Sequence, residues 1–81
     1  ELYRQLMAAL DELPRVRREV LVLYELEDMT LAQVGEALGI PVNTVLYRLH
    51  AAREEIAAFV LKRERAAQLE QIRRRSRVEV A

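Results

Sequence analysis

The chain has 81 residues, 52% of them hydrophobic, with 13 Lys or Arg balanced by 13 Asp or Glu and a formal net charge of zero. That length holds one small domain with a modest core and leaves no room for an enclosed catalytic cleft. With no cysteine there is neither a disulfide framework nor a thiolate metal site; no apolar run nears the roughly 20 residues of a membrane span, and no signal peptide is visible.

The zero conceals a polarity. Residues 1–40 carry four Arg against eight acids, a net charge of −4, and residues 41–81 carry nine Lys or Arg against five acids, a net charge of +4. Such a division suits a module that shows one face to phosphates and another to a protein. The opening Glu1-Leu2-Tyr3 has no initiator Met and is already helix-like, so a fragment of a longer protein, with a partner domain elsewhere, is expected.

Four helices are predicted, and no β pattern occurs. Leu2, Leu6, Ala9, Leu10 and Leu13 recur at helical spacing and define a first amphipathic helix. Leu13-Pro14 ends it, because a residue before proline is pushed out of the α region. Pro14 opens a second helix with Val16, Val20, Leu23, Tyr24 and Leu26 as its inward set, and Glu27-Asp28-Met29 connects it to the next.

Thr30 and Gln33 then have the spacing of a capping box, and Met29 and Val34 that of a hydrophobic staple. Eight residues from Leu31 to Leu38 follow, with Gly39 placed for the left-handed C′ conformation and Pro41 for the first position of a new helix. Helix, glycine turn, helix, with Leu31, Val34, Leu38, Ile40, Val45 and Leu49 apolar, is a helix-turn-helix signature. The fourth helix carries a continuous seam of Val45, Leu49, Ala52, Ile56 and Phe59. The expected core is Leu6, Leu10, Val16, Val20, Leu23, Leu31, Val34, Leu38, Val45, Leu49 and Ile56.

With Val45 inward, a step of about 100° per residue sends Asn43, Tyr47, His50 and Glu54 outward. Leu46 and Arg53 fall on one flank, and Thr44 and Arg48 on the other. A helix-turn-helix reads bases with the first turns of its second helix, so Val42, Asn43, Leu46 and Tyr47 are the candidate base readers. Asn can pair with adenine and an aliphatic group can cover a thymine methyl. Arg48 and Arg53, at the edges of the face, suit phosphates.

Leu13-Pro14, the apolar run to Tyr24-Glu25-Leu26-Glu27 and the stretch MTLAQVGEALGIPVNTVLYRLHAAREE together resemble region 4 of bacterial sigma factors of the extracytoplasmic-function group. The resemblance covers about residues 2–59. It implies an all-α, cytoplasmic DNA-binding domain that recognises the −35 promoter element while held on core RNA polymerase by the flap of its β subunit, with an anti-sigma factor as a further partner. The family's recognition helix maps onto Pro41 to Arg53, which makes Val42, Asn43, Thr44, Leu46, Tyr47, Arg48, His50 and Arg53 the expected DNA-binding set. This chain departs from the family pattern at Gly35, where Ala is usual, and at Leu46 and Tyr47, where polar or basic residues are usual.

The domain is expected to span residues 1–61. Beyond it, residues 62–81 form a basic extension with Leu69 and Ile72 as the only strong apolar pair. An extended helix and a frayed, solvated tail both fit; the frayed tail is the plainer reading, and Val78 to Ala81 are expected to be disordered. Catalysis has no support. His50 is the single histidine, Glu54 at i+4 is an ordinary surface partner for it, and no Gly-rich phosphate loop occurs. No cofactor or metal is expected. A response-regulator output domain and a protein-interaction module without DNA binding stay open as alternatives; the Leu13-Pro14 break and leading helix speak against the first, Arg48 and Arg53 against the second.

Overall fold

The computed structural model describes residues 2–80, with side chains from Tyr3 to Arg77. Four helices follow one another: α1 (Leu2–Glu12), α2 (Arg15–Leu21, continued by a π-helical turn over Val22–Leu26), α3 (Leu31–Leu38) and α4 (Val42–Val80). No strand occurs among the described residues, so the fold is all-α as expected. The described residues measure 62 × 19 × 16 Å. The long dimension is that of α4, whose 39 residues at about 1.5 Å each account for nearly all of it.

The helix breaks follow from local chemistry. α1 stops at Glu12, and Pro14 (φ −54°, ψ 145°) accepts from the N–H groups of Arg17 and Arg18 at 3.1 and 3.0 Å. Pro41 does the same for α4, accepting from Thr44 and Val45 at 3.0 and 3.1 Å. It therefore flanks the helix, one residue earlier than its expected place inside the first turn. Between α2 and α3, Asp28 takes a left-handed φ of 56° and the Met29 N–H donates to the Leu23 carbonyl at 3.1 Å.

The core is built from Leu10, Leu13, Val20, Leu21, Val34, Val45, Leu49 and Ala52, with Leu23, Tyr24, Met29, Leu31, Leu38, Ile40 and Ile56 packed against it. Two expected core residues are more exposed than the pattern suggested. Val16 is 48% exposed because the buried arc of α2 is centred between Val20 and Leu21, so that Arg17 and Tyr24 lie further inward than Val16. Leu6 does face inward, but onto an open apolar groove of about 160 Å3 lined by Leu10, Leu21, Val22, Leu26 and Ile56 with Glu25 at its edge. Leu26, assigned to the inward set of α2, is 59% exposed. The π turn, closed by the Glu27 N–H on the Val22 carbonyl at 3.0 Å, adds a residue to the turn and carries Leu26 off the helical stripe. Leu2, in the expected set of α1, has a side chain outside the described residues.

The extension is not frayed. α4 runs without interruption to Val80, so Val78 to Val80 are helical where disorder was expected; Ala81 lies outside the described residues. From Leu61 to Arg77 every residue is exposed. Forming this segment needs no new nucleus, since the folded half of α4 already supplies the hydrogen-bonded turn from which a helix propagates.

Candidate nucleic-acid interface

The geometry of the interface starts at Thr30. Its hydroxyl accepts from the Gln33 N–H at 3.1 Å, and the Gln33 side-chain oxygen accepts from the Thr30 N–H at 2.8 Å. The capping box read from the sequence is complete. Of the expected staple, Val34 belongs to the core and Met29 is half-buried against it. At the other end of α3, Gly39 adopts φ 68°, and the Ile40 N–H donates to the Gly35 carbonyl at 2.9 Å. A left-handed residue here turns the chain sharply enough for α4 to begin three residues later.

Gly35 sets how closely the two helices approach. A Cβ at this position would lie 2.8 Å from the Ile40 carbonyl oxygen, 3.6 Å from Val45 Cγ2 and 3.9 Å from Val42 Cγ2. Backbone oxygen at 2.8 Å is inside ordinary contact, so the hydrogen atom of glycine is part of the packing. Val34 and Val45, each with no exposed surface, close the interior of the motif.

The outward side of α4 carries most of the expected set. Val42, Asn43, Leu46, Tyr47 and His50 are exposed, and Tyr47 retains 69% of its surface. Thr44 and Arg48 are half-buried on one flank. These seven residues lie within three turns of the start of α4, which is where a helix-turn-helix offers side chains to a major groove.

Arg53 is placed differently. Its guanidinium pairs with the Glu25 carboxylate and lies 5.6 Å from the centre of the Tyr24 ring. Both partners belong to the π turn after α2. No local pattern signals this pair, because Arg53 and Glu25 are 28 residues apart. Arg17 of α2 similarly pairs with Glu55 of α4, so the two helices are tied by ion pairs at two places. Arg48 makes no ion pair among the described residues. No group of three or more His, Cys, Asp or Glu side chains that could hold a metal ion occurs among them, and none of their helices is long and apolar enough to cross a membrane.

A capped helix, a left-handed glycine turn and a second helix with its first turns open to solvent define the class: a helix-turn-helix domain. Residues 3–56 match the family model for sigma-70, region 4. Over 57 residues the chain is 35% identical to the ECF RNA polymerase sigma factor SigE of Mycolicibacterium smegmatis, covering 70% of this chain and 22% of that protein. Over 56 residues it is 38% identical to the ECF RNA polymerase sigma factor SigW of Bacillus subtilis, covering 69% of this chain and 30% of that protein. The matched segments thus span less than a third of those relatives. No solved structure matches the chain significantly. The chain belongs to the sigma-70 region 4 family, in the extracytoplasmic-function group.

Proposed function

We propose that this chain is the domain of a sigma factor that binds the −35 element of promoters, with the first turns of α4 in the major groove. The observation that carries the reading is the open N-terminal end of α4, held at a fixed angle by the Thr30–Gln33 box, the Gly39 turn and the close approach at Gly35. In this reading Val42, Asn43, Leu46 and Tyr47 face base edges, and Thr44, Arg48, His50 and Arg53 lie along the phosphates. The work is recognition rather than catalysis. It belongs to a holoenzyme with core RNA polymerase in the cytoplasm.

The apolar groove between α1 and the end of α2, on a surface separate from the reading turns, suits a helix of the polymerase β flap. An anti-sigma factor would compete for the same surface. Leu6 and Leu26, exposed at the groove, are the side chains such a partner would cover.

Holoenzyme binding to promoter duplexes, followed by mobility shift across a salt series, tests the reading. Arg48→Ala should weaken binding to all sequences alike and lower the salt slope by about one phosphate's worth. Unchanged promoter binding by Arg48→Ala, Asn43→Ala and Tyr47→Ala together would rule the interface out.

A further inference from the structure

We infer that Val42 and Leu46 form an aliphatic ledge that selects thymine methyl groups, so that the element this domain reads is rich in A·T pairs. The inference rests on the promoter reading above and deepens it by naming the bases.

From Pro41 to Tyr47 there is no charged residue. The commonest specific contact to guanine is a bidentate bond from Arg or Lys to its O6 and N7, and these turns cannot make it. The nearest cations do not replace it. Arg48 is half-buried beside Thr44 on the flank, and Arg53 is held by Glu25 and Tyr24.

What the turns present is apolar surface and neutral hydrogen-bonding groups. Val42 and Leu46 lie one helical turn apart and keep 42% and 37% of their surface exposed. Single exposed aliphatic residues are ordinary, but these two sit where a helix-turn-helix meets base edges. Val42 lies near Gly35 of α3, its Cγ2 being 3.9 Å from the place a Cβ there would take. In the major groove the one apolar group is the thymine C5 methyl, and the natural partner of an exposed Asn amide is adenine N6 and N7. Asn43 is exposed beside the ledge. Methyl contacts and an adenine pair from one surface select A·T steps, with thymines on the strand under Val42 and Leu46.

The test uses holoenzyme containing the full chain and removes only methyl groups from the DNA. Selection from random duplexes is followed by deoxyuridine in place of each thymine of the selected element, and by 5-methylcytosine at its cytosines. The expected result is an A·T-rich element in which one or two deoxyuridine positions each weaken binding about fourfold, the effect of losing one buried methyl. That sensitivity should vanish with Leu46→Ala or Val42→Ala. Selection of a G·C-rich element, or equal binding to thymine and deoxyuridine duplexes, overturns the inference and leaves the promoter reading standing. Loss of a protein partner by Leu46→Ala without any change in the selected sequence also overturns it. Absence of binding to every duplex overturns both.

Discussion

Replacing Glu25 by Gln should tighten DNA binding, although Glu25 lies outside the helix-turn-helix. The side chains of Arg53 and Glu25 are 49% and 43% exposed, so their pair is worth no more than about 1 kcal/mol of stability and the variant should stay folded. For DNA the carboxylate acts in two ways, both against binding. It occupies the guanidinium that would meet a phosphate, and it places a negative charge near the backbone. Two unit charges about 7 Å apart in water repel by roughly 0.6 kcal/mol, and physiological salt screens more than half of this. Freeing Arg53 adds up to one further phosphate contact. Together these predict binding about two- to fivefold tighter at low salt for Glu25→Gln, with a salt slope steeper by up to about 0.9. Arg53→Ala should do the reverse, and in that background Glu25→Gln should keep only the small charge effect. Anisotropy titrations of the four proteins over a salt series provide the measurement. If Glu25→Gln weakens binding while its urea midpoint is unchanged, then Glu25 aligns Arg53 for DNA and does not compete with the phosphate for it.

Thr30→Ala should cost about 1 kcal/mol and Thr30→Ser nearly nothing, and equal urea midpoints for all three proteins would show that the box adds no stability. Leu49→Ala should cost about 2–5 kcal/mol, because Leu49 is only 3% exposed, whereas Val16→Ala should stay within about 1 kcal/mol; thermal melts that rank them the other way would invalidate the core. Removing residues 62–81 should leave the melting of the remaining helices unchanged, since residues 61–77 are exposed throughout. The same truncation should lower DNA affinity and the salt slope without changing the preferred sequence; a changed preference would give the extension a direct role in base reading.

The motif was legible because its chemistry is local. A capping box needs residues three apart, and a left-handed cap needs glycine at one place, so Thr30, Gln33 and Gly39 could be placed without knowing the fold. Core membership was legible only in part. Leu10, Val20, Val34, Val45 and Leu49 were expected inside and are there. Leu21 was not expected, since the apolar residues of α2 fit an uninterrupted α period as well as one that ends in a π turn. Leu6 had the right phase, yet no segment among the described residues closes the groove it faces. Arg53 shows the remaining gap. Helical phase put it on the edge of the reading face, but its pairing with Glu25 and its position against Tyr24 depend on how α4 crosses the end of α2, and no short-range pattern encodes that crossing. Whether residues 62–80 are helical also escapes a local reading, because the answer depends on a helix already formed upstream.

The charge polarity of the sequence does not map onto two separate faces. Arg17 of α2 pairs with Glu55 of α4, and Arg53 of α4 pairs with Glu25, so each half lends ions to the other and the exchange ties α2 to α4. The positive excess stands elsewhere, at Arg48 and along the exposed helix beyond Leu61, where Lys62, Arg63, Arg65, Arg73, Arg74, Arg75 and Arg77 outnumber Glu64 and Glu70. The turns proposed to read bases are neutral. In the proposed interface recognition is thereby divided. Cations away from the bases would draw the domain to DNA through a field that salt screens and sequence does not alter, while Val42, Asn43, Leu46 and Tyr47 would discriminate through contacts that salt barely touches. Because the two proposed sets of residues do not overlap, affinity and specificity should change independently, a pattern that substitutions at Arg48 and at Leu46 would separate.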